Sequence, residues 1–208
     1  MSPIKNIVFD FGGVIVTIDF QQAIAHGKEI GLKHADRLLD PYTQSGIFGD
    51  LESGKIDEKT FRKELSKMAG RELEWKDCQY LFMGYLKELP HRNLEAMLRL
   101  HDEGYRLLLL SNTNPYIMDW AMGNSFDGEG HSLMHYIDRA YLSYQCGLMK
   151  PDERLFQLVL DKEQIKAGET LFIDDGARNV EAARHLGFRT LHPQDGEDWT
   201  KPLFDMLR

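Results

Sequence analysis

Cysteine and long apolar runs are scarce in this 208-residue sequence, and each shortage excludes a class of protein. The two cysteines, Cys78 and Cys146, cannot form a disulfide framework and no Cys-x-x-Cys pair occurs, so we expect reduced thiols in a reducing compartment. No apolar run approaches the roughly 20 residues that a membrane-spanning helix needs. The first apolar segment begins within a few residues of the amino terminus, which leaves no room for a signal peptide. The sequence therefore predicts a cytoplasmic protein.

Positive charge is also in short supply. Lysine and arginine number 25 against 33 aspartate and glutamate residues, and the formal net charge is −8 at pH 7. This balance argues against nucleic acid or an anionic membrane as the main partner. An acidic protein binds phosphate only through a local positive site, which a lysine, a metal ion or helix N-termini would have to provide. The length fits one domain, or one domain carrying an insertion, and leaves the choice between monomer and homodimer open.

The most informative segment lies at the start of the chain, where an apolar run ends in a carboxylate. Residues 7–9 read as a buried strand of a parallel sheet, because such strands are apolar on both faces. Asp10 then stands at the carboxyl end of the strand, where open α/β sheets bind their ligands. Gly12 and Gly13 allow a sharp turn close to a ligand. Taken alone, the segment is equally well explained as a capped turn that leaves a strand.

Further side chains that could take part in catalysis or binding follow in a fixed order. They comprise a hydroxyl, an amide, an ammonium and a carboxylate pair: Ser111 and Asn112 after the apolar run 106–110, Lys150 before Pro151, and Asp174 and Asp175 after the apolar run 170–173. Together with Asp10, this order resembles the four motifs of the haloacid dehalogenase-like (HAD) hydrolase superfamily. The resemblance covers nearly the whole chain. The combination is specific, although each motif alone is weak.

The alternation of apolar runs and helical patterns predicts an α/β fold. We expect a parallel sheet with right-handed crossovers and helices on both faces. Short strands are predicted at 141–143 and at 188–191, the latter at an edge of the sheet. Residues 20–90 are helical in pattern and contain no extended run, which indicates a helical insertion outside that sheet. The resemblance implies a Rossmann-like core formed by residues 1–18 and 91–208, with residues 19–90 as a helical cap of type C1.

Asp10 is the expected nucleophile. A carboxylate can attack phosphorus, and the aspartyl-phosphate that forms divides the hydrolysis of a phosphate ester into two easier steps. Carboxylate and phosphate repel each other, so a cation must lie between them. Mg²⁺ prefers oxygen ligands and is usually held by one or two carboxylates together with substrate phosphate. Asp10 and Asp175 are the expected carboxylate ligands, with the Gly12 carbonyl as a third ligand implied by the resemblance. Asp174 is expected to bind through water or to orient its neighbour, and a helix-capping role for the pair is the alternative.

The remaining motif residues would hold the phosphoryl group. Ser111 and the backbone N–H of Asn112 are expected to grip phosphate oxygens. Lys150 would neutralise charge that develops in the transition state, whereas an isolated lysine before a proline is more often a solvated side chain. Asn179 matches a further family position that supports the metal loop, and it could equally lie on a helix surface.

The chain departs from most HAD phosphatases at Gly12, where they carry a second aspartate that acts as general acid and base. Such catalysis typically contributes ~10²–10⁴-fold. A substrate with a good leaving group, such as an anomeric sugar phosphate or an acyl phosphate, needs less protonation and is the favoured explanation; a substitute group from the cap and loss of turnover are the alternatives. The motifs around Asp10 and Ser111 resemble a bacterial branch that includes an α-D-glucose-1-phosphate phosphatase and shares this glycine. We therefore expect a Mg²⁺-dependent phosphatase of small phosphorylated metabolites, with sugar phosphates favoured; the alternatives are a ligand-binding protein without catalysis and a metal-independent 2-haloacid dehalogenase.

Other polar residues have simpler interpretations. His131 and His135 have the spacing of a helical zinc pair, but no nearby third ligand or HExxH pattern accompanies them. Asp19 is expected to play a structural role. Glu163 and Glu169 are expected to be solvated.

Overall fold

Helices and short strands alternate along the structure, a computed structural model that describes residues 3–39 and 46–208. The strands are β1 (Asn6–Phe9), β2 (Thr17–Ile18), β3 (Leu86–Glu88), β4 (Arg106–Ser111), β5 (Arg139–Leu142), β6 (Thr170–Ile173) and β7 (Arg189–Leu191). The helices are α1 (Phe20–Glu29), α2 (Ala35–Leu38), α3 (Gly46–Glu52), α4 (Glu58–Ala69), α5 (Trp75–Met83), α6 (His91–Asp102), α7 (Pro115–Ala121), α8 (Ser143–Cys146), α9 (Glu153–Glu163), α10 (Ala177–His185) and α11 (Thr200–Leu207). Short 3₁₀ turns cover Leu133–His135 and Ala167–Glu169. Among the described residues, no helix combines the length and the apolar content required to cross a bilayer.

The main sheet has the strand order β5-β4-β1-β6-β7, and all of its pairs are parallel. The expected α/β fold with a Rossmann-like parallel sheet is therefore confirmed, with β7 at an edge as predicted. The fifth strand begins two residues earlier than expected, and Ser143 opens α8 instead of ending the strand. In the central strand, Phe9 pairs with Leu109 on one side and with Ile173 on the other. This register brings the ends of β1, β4 and β6 to one edge of the sheet.

Apolar side chains cover both faces of this sheet. Ile7 and Phe9 belong to one buried cluster, and Val8, between them, belongs to another together with Leu108 and Phe172. Successive strand residues point to opposite faces, so a continuous apolar run fills the core on each side. The buried sheet is thus a rigid platform for the residues at its carboxyl edge.

Helices α1 to α5 enclose a separate apolar cluster, in which Phe61 lies against Phe48 and Phe82 with ring centroids 5.2 Å and 5.5 Å away. Tyr116 of α7 joins this cluster and stacks on Phe82 with ring centroids 5.5 Å apart. The separate cluster supports the proposal that residues 19–90 form a cap on a core of residues 1–18 and 91–208. Residues 40–45 of that cap, and residues 1 and 2 of the core, lie outside the described residues.

The prediction that no extended run occurs within residues 20–90 is wrong at its end. Leu86–Glu88 forms β3, which pairs antiparallel with β2 in a two-stranded sheet of its own. The chain therefore leaves the core along β2 and returns along β3. The strand is only three residues long and lacks the apolar run that would have identified it.

The expectation that Glu163 is solvated is also wrong. Its side chain is only 1% exposed, and it accepts a hydrogen bond from Tyr141 and forms an ion pair with Arg106. The Nε atom of Arg139 lies 3.4 Å from Glu163 Oε1. Both arginines belong to neighbouring strands, and their distance along the chain hides this pairing from the sequence. Glu169 is instead paired with the exposed Lys5 at 3.0 Å.

Two buried donors hold the loop that follows β1. The Asn93 side-chain amide of α6 donates to the carbonyls of Val14 and Ile15 at 2.9 Å and 3.0 Å. The Trp199 indole N–H donates to the same Val14 carbonyl at 2.8 Å. Because buried carbonyl groups require partners, these bonds fix the path of the chain just beyond Asp10.

Replacing Asn93 by leucine keeps the branching at Cγ in a somewhat larger side chain and removes both side-chain hydrogen bonds. We expect a loss of about 2–4 kcal/mol in the free energy of unfolding, because the Ile15 carbonyl is left without its partner in the core. Urea unfolding followed by circular dichroism measures this change. Glu95→Gln, on the exposed side of the same helix, is the matched control and should leave stability within about 0.5 kcal/mol. Equal stability of the Asn93→Leu protein and the unmodified protein would contradict this account of the loop.

Candidate active site

The candidate site lies where the central strands end. Asp10 directly follows β1, Ser111 is the last residue of β4, and Asp174 and Asp175 directly follow β6. One carboxylate oxygen from each of Asp10, Asp174 and Asp175 lies within 4.8 Å of the others. Residues that are far apart in the sequence are thus gathered by the register of three adjacent strands.

Lys150 is buried at the centre of this group. Its Nζ lies 2.8 Å from Asp10 Oδ1 and 2.6 Å from Asp174 Oδ2. An ammonium removed from water requires such partners, since desolvation disfavours the charged form. Burial lowers the pKa of Lys150, but the two carboxylates raise it by more, so the net pKa is raised and the lysine stays charged.

Asn112 fixes the backbone of Lys150. Its side-chain oxygen accepts from the Lys150 N–H at 2.8 Å, and its amide donates to the Lys150 carbonyl at 2.9 Å. This paired contact joins the loop after β4 to the segment before α9. The side chain of Asn112 therefore positions Lys150, which the sequence did not indicate. The backbone N–H of Asn112 is a separate group, and its proposed role in binding phosphate oxygens is unaffected.

The carboxyl group of Asp174 is fully buried and its oxygens are occupied by protein donors. Oδ1 accepts from the Gly176 N–H at 2.7 Å and from the Asn179 side chain at 3.0 Å, while Oδ2 faces Lys150. Asp174 was expected to bind a metal through water or to orient its neighbour, and both roles stay predictions. Asn179 contacts Asp174 and does not stand free on the helix surface.

Asp175 packs against the turn after β1 so closely that Gly13 has no room for a side chain. A Cβ atom at Gly13 would lie 2.3 Å from Asp175 Oδ2, and the Gly13 φ angle of +76° also disfavours other residues. Gly12 differs, because a Cβ there would meet its nearest neighbour, Ile18 Cγ2, at 3.5 Å. Packing around the Cβ position therefore does not impose the glycine that replaces the family's second aspartate.

The electrostatics of the carboxylates favour a bound cation. Burial is the largest influence on the pKa of Asp10 and raises it; the charge of Lys150 opposes this, the charges of Asp174 and Asp175 raise the pKa further, and the net pKa is raised. Burial, followed by the charge of Asp174, raises the pKa of Asp175 to about 6. Three carboxylates face one ammonium, so a divalent cation would offset the remaining negative charge. An all-oxygen donor set of this kind fits Mg²⁺, and Asp10 and Asp175, with the Gly12 carbonyl nearby in sequence, are the residues that would hold it.

A cavity of about 760 Å³ opens above these groups. Its floor includes Asp10, Ser111, Lys150 and Asp175, while its roof includes cap residues such as Phe48 and Glu52. This volume suits a small molecule. The cap thus contributes directly to the space in which a substrate would lie.

Thr113 and Glu52 are among the cavity residues that sequence reasoning missed. Thr113 follows Ser111 and Asn112, and Glu52 ends α3. Burial raises the pKa of Glu52 to about 7, although the nearby Asn114 side chain lowers it somewhat. No sequence pattern marks Glu52, because its position depends on how the cap packs against the core. Asp19, by contrast, has the structural role that was expected, since it caps α1 through the N–H groups of Gln21 and Gln22.

The histidine pair at 131 and 135 does not lie on an α-helix. The two rings stack 4.2 Å apart, and His131 Nδ1 lies 2.7 Å from Asp127 Oδ2. A further ligating group does lie near the histidines, contrary to the expectation from the sequence: Asp127, Glu129 and His131 each offer one ligand atom within 4.8 Å of the others. Asp127 also accepts hydrogen bonds from the Tyr136 hydroxyl and two loop N–H groups, which makes it the organiser of its own loop.

Comparison with known proteins gives consistent matches over most of the chain. A family model described as haloacid dehalogenase-like hydrolase matches residues 4–187. The D-ribitol-5-phosphate phosphatase of Bacteroides thetaiotaomicron is 44% identical over 204 residues, which cover 98% of each chain.

Solved structures match as well. A HAD-like family hydrolase from Porphyromonas gingivalis is 40% identical with a TM-score of 0.94, and the alignment covers 100% of this chain and 99% of the other. A HAD family enzyme from Bacteroides thetaiotaomicron, solved with magnesium and inorganic phosphate, is 33% identical with a TM-score of 0.88; the alignment covers 96% of this chain and 98% of that one.

Replacing Lys150 by methionine removes the ammonium and keeps an unbranched chain of similar length. Asp10 and Asp174 then lack their cation, so we expect the free energy of unfolding to fall by about 3–5 kcal/mol in the presence of EDTA. Added Mg²⁺ should reduce this loss. Urea titrations at neutral pH with and without Mg²⁺ measure both effects, with Lys162→Met, at an exposed position of α9, as control. If the Lys150→Met and Lys162→Met proteins unfold alike, the ammonium does not compensate the buried carboxylates.

Proposed function

This chain belongs to the haloacid dehalogenase-like hydrolase family, and on that premise we propose that it is a Mg²⁺-dependent phosphatase of small phosphorylated metabolites. The observation that carries the proposal is the cluster of Asp10, Lys150, Asp174 and Asp175 at the floor of a closed-over cavity. Phosphoryl transfer requires a nucleophile and a concentrated positive field for the phosphate oxygens. The cluster offers a candidate nucleophile, a buried ammonium and oxygen ligands for a metal ion.

Asp10 is the proposed nucleophile. Its Oδ1 accepts hydrogen bonds from the Phe11 N–H at 2.7 Å and from Lys150 Nζ at 2.8 Å. These contacts orient the carboxyl group and leave Oδ2, which has no hydrogen bond to any of residues 3–39 and 46–208, as the attacking oxygen. The new bond joins this oxygen to phosphorus as the bond to the ester oxygen breaks, and the departing alkoxide takes a proton from water to leave as the alcohol. A water molecule then hydrolyses the aspartyl-phosphate, which restores Asp10 and releases inorganic phosphate.

The other site residues bind the phosphoryl group. Lys150 stabilises negative charge on the phosphoryl oxygens, and the Ser111 hydroxyl and the Asn112 N–H bind them from the end of β4. When bound, Mg²⁺ neutralises the repulsion between carboxylate and phosphate and polarises the phosphorus centre. Asp174 holds Lys150 in place and links it to Gly176 and Asn179.

Sugar and polyol phosphates are the proposed substrate class. The relative that is 44% identical is a D-ribitol-5-phosphate phosphatase, whose substrate is a phosphate ester of a primary alcohol. An alkoxide is a poor leaving group, so this likeness weakens the argument from Gly12 for anomeric phosphates such as glucose 1-phosphate. Both kinds of ester belong in a substrate panel.

Replacing Asp10 by asparagine should lower phosphate release by a factor of roughly 10⁴ or more, as expected when a covalent nucleophile is lost. Phosphate release from ribitol 5-phosphate, glucose 1-phosphate and p-nitrophenyl phosphate is measured with Mg²⁺, with EDTA and after Mg²⁺ is restored. EDTA should abolish the activity and Mg²⁺ should recover it. Asp102→Asn, at the exposed end of α6, controls for the loss of an acidic residue.

Two outcomes would overturn the proposal. The unmodified protein would release no phosphate from any ester in the panel, or the Asp10→Asn protein would retain full activity. Metal-independent release of chloride from 2-chloropropionate would instead favour a dehalogenase. Tight binding of the esters without any turnover would favour a binding protein.

A further inference from the structure

Three polar atoms are buried without partners at the seam between cap and core. They are Glu52 Oε2, Thr113 Oγ1 and Asn114 Nδ2. The Asn114 side chain lies near enough to Glu52 to lower its pKa, but none of the three atoms has a partner with hydrogen-bond geometry within the described parts of the chain. Most buried polar atoms have a hydrogen-bond partner, because an unpaired one loses its hydrogen bonds to water and gains none in the protein. An unpaired group beside a functional cavity therefore calls for an explanation.

The cap backbone holds Glu52 in this seam. Glu52 is the last residue of α3, and two residues later Gly54 lies against the Tyr144 carbonyl of α8. A Cβ at Gly54 would lie only 2.3 Å from that oxygen. The close approach seats the end of α3 on the core, so the Glu52 carboxyl faces the cavity because of backbone packing.

Thr113 and Asn114 are also held in place, but by contacts that involve other atoms than the unpaired ones. The Thr113 N–H donates to Ser143 Oγ at 3.0 Å, and the same hydroxyl donates back to the Thr113 carbonyl at 3.2 Å. Asn114 Oδ1 caps α7 by accepting from the N–H groups of Tyr116 and Ile117. The backbone of Thr113 is therefore satisfied, while its hydroxyl remains available.

Glu52 and Thr113 line the same cavity as Asp10 and Lys150. The phosphate of a substrate would lie at Lys150 and Ser111, so the cap-side pair would meet the other end of the molecule. The Glu52 carboxyl group accepts hydrogen bonds, and it also rejects anionic groups above its raised pKa of about 7, where it is ionised; a threonine hydroxyl both donates and accepts. A substrate hydroxyl can donate to Glu52 and accept from Thr113, and so it satisfies both.

We propose that Glu52 and Thr113 bind hydroxyl groups on the carbon chain of the substrate and select polyhydroxylated phosphate esters over apolar ones. This inference rests on the proposed phosphatase function and names the substrate class of the same site. The core motifs bind the phosphoryl group, and this inference assigns recognition of the carbon chain to the Glu52–Thr113 pair. A site that hydrogen-bonds a hydroxyl discriminates strongly against an analogue that lacks it, because its own polar groups are then left unpaired.

The test compares two esters with carbon chains of the same length, ribitol 5-phosphate and pentyl phosphate. In the Asp10→Asn background, which blocks turnover, calorimetry with Mg²⁺ measures the dissociation constant of each ester. At about pH 8.5, above the raised pKa of Glu52, we expect Glu52→Gln to weaken binding of ribitol 5-phosphate by about 10- to 100-fold, the range for a hydrogen bond to a charged group. Thr113→Val, which is nearly isosteric, should weaken it by roughly 3- to 10-fold. Binding of pentyl phosphate should stay within about twofold for both variants, since it has no hydroxyl to lose.

Kinetics in the Asp10 protein provide the second measurement. Glu52→Gln should raise KM for ribitol 5-phosphate with little change in kcat, and should leave the hydrolysis of p-nitrophenyl phosphate nearly unchanged. Glu72→Gln, which removes an exposed carboxylate elsewhere on the cap, is the matched control. Thermal unfolding of each variant checks that the fold is retained, and Thr113→Val carries the test if Glu52→Gln fails to fold.

The inference is overturned if both esters lose affinity equally, which would indicate a structural role for the pair, or if neither variant changes the preference for ribitol 5-phosphate. A uniform fall of kcat on all esters would mean that Glu52 acts at the reacting bond instead. Failure of the proposed function is distinguishable, because the unmodified protein would then release no phosphate even from p-nitrophenyl phosphate, while the binding comparison would still judge the hydroxyl pair.

Discussion

The buried contact of Lys150 with Asp10 and Asp174 is the interaction on which the rest of the site depends. One ammonium joins the carboxyl end of β1 to that of β6, and Asn112 fixes its backbone from the end of β4. Three neighbouring strands are therefore tied together at one point. Burying the ammonium and its carboxylate partners costs solvation free energy, and such a group of charges is tolerated only where the partners are well placed. The same ammonium that stabilises the carboxylates in the free protein is positioned to meet a phosphoryl group.

The core was predictable because its signals are local. The apolar runs at 7–9, 106–110 and 170–173 each became a strand, and the carboxyl end of each carries a site residue. The start of α7 is also determined locally, because the Asn114 side chain caps the helix and Pro115 lies in its first turn. The metal ligands and the roles of the site residues remain predictions. Their spatial convergence is observed.

What the sequence did not reveal depends on contacts between distant segments. Glu163 is buried because two arginines from neighbouring strands reach it, and Glu52 faces the cavity because α3 packs on α8. The short strand β3 exists only through its pairing with β2. Neither a charged side chain at the end of a helix nor a three-residue extended segment carries a pattern that distinguishes these cases. Such features become visible only when the partner segment is in place.

The two adjacent glycines after Asp10 differ in how freely they can evolve. Every missense change at a glycine codon adds at least a Cβ, and at Gly13 that atom would collide with the Asp175 carboxyl group. Relief would require the Asp175 carboxyl group to move away from the turn, which would displace one of the acids, so the two positions constrain each other. Gly12 has no such neighbour within the distance that forces a shift. A lineage that carries this scaffold could therefore gain or lose a side chain at Gly12 by a single mutation, and so alter its chemistry while its framework stays the same.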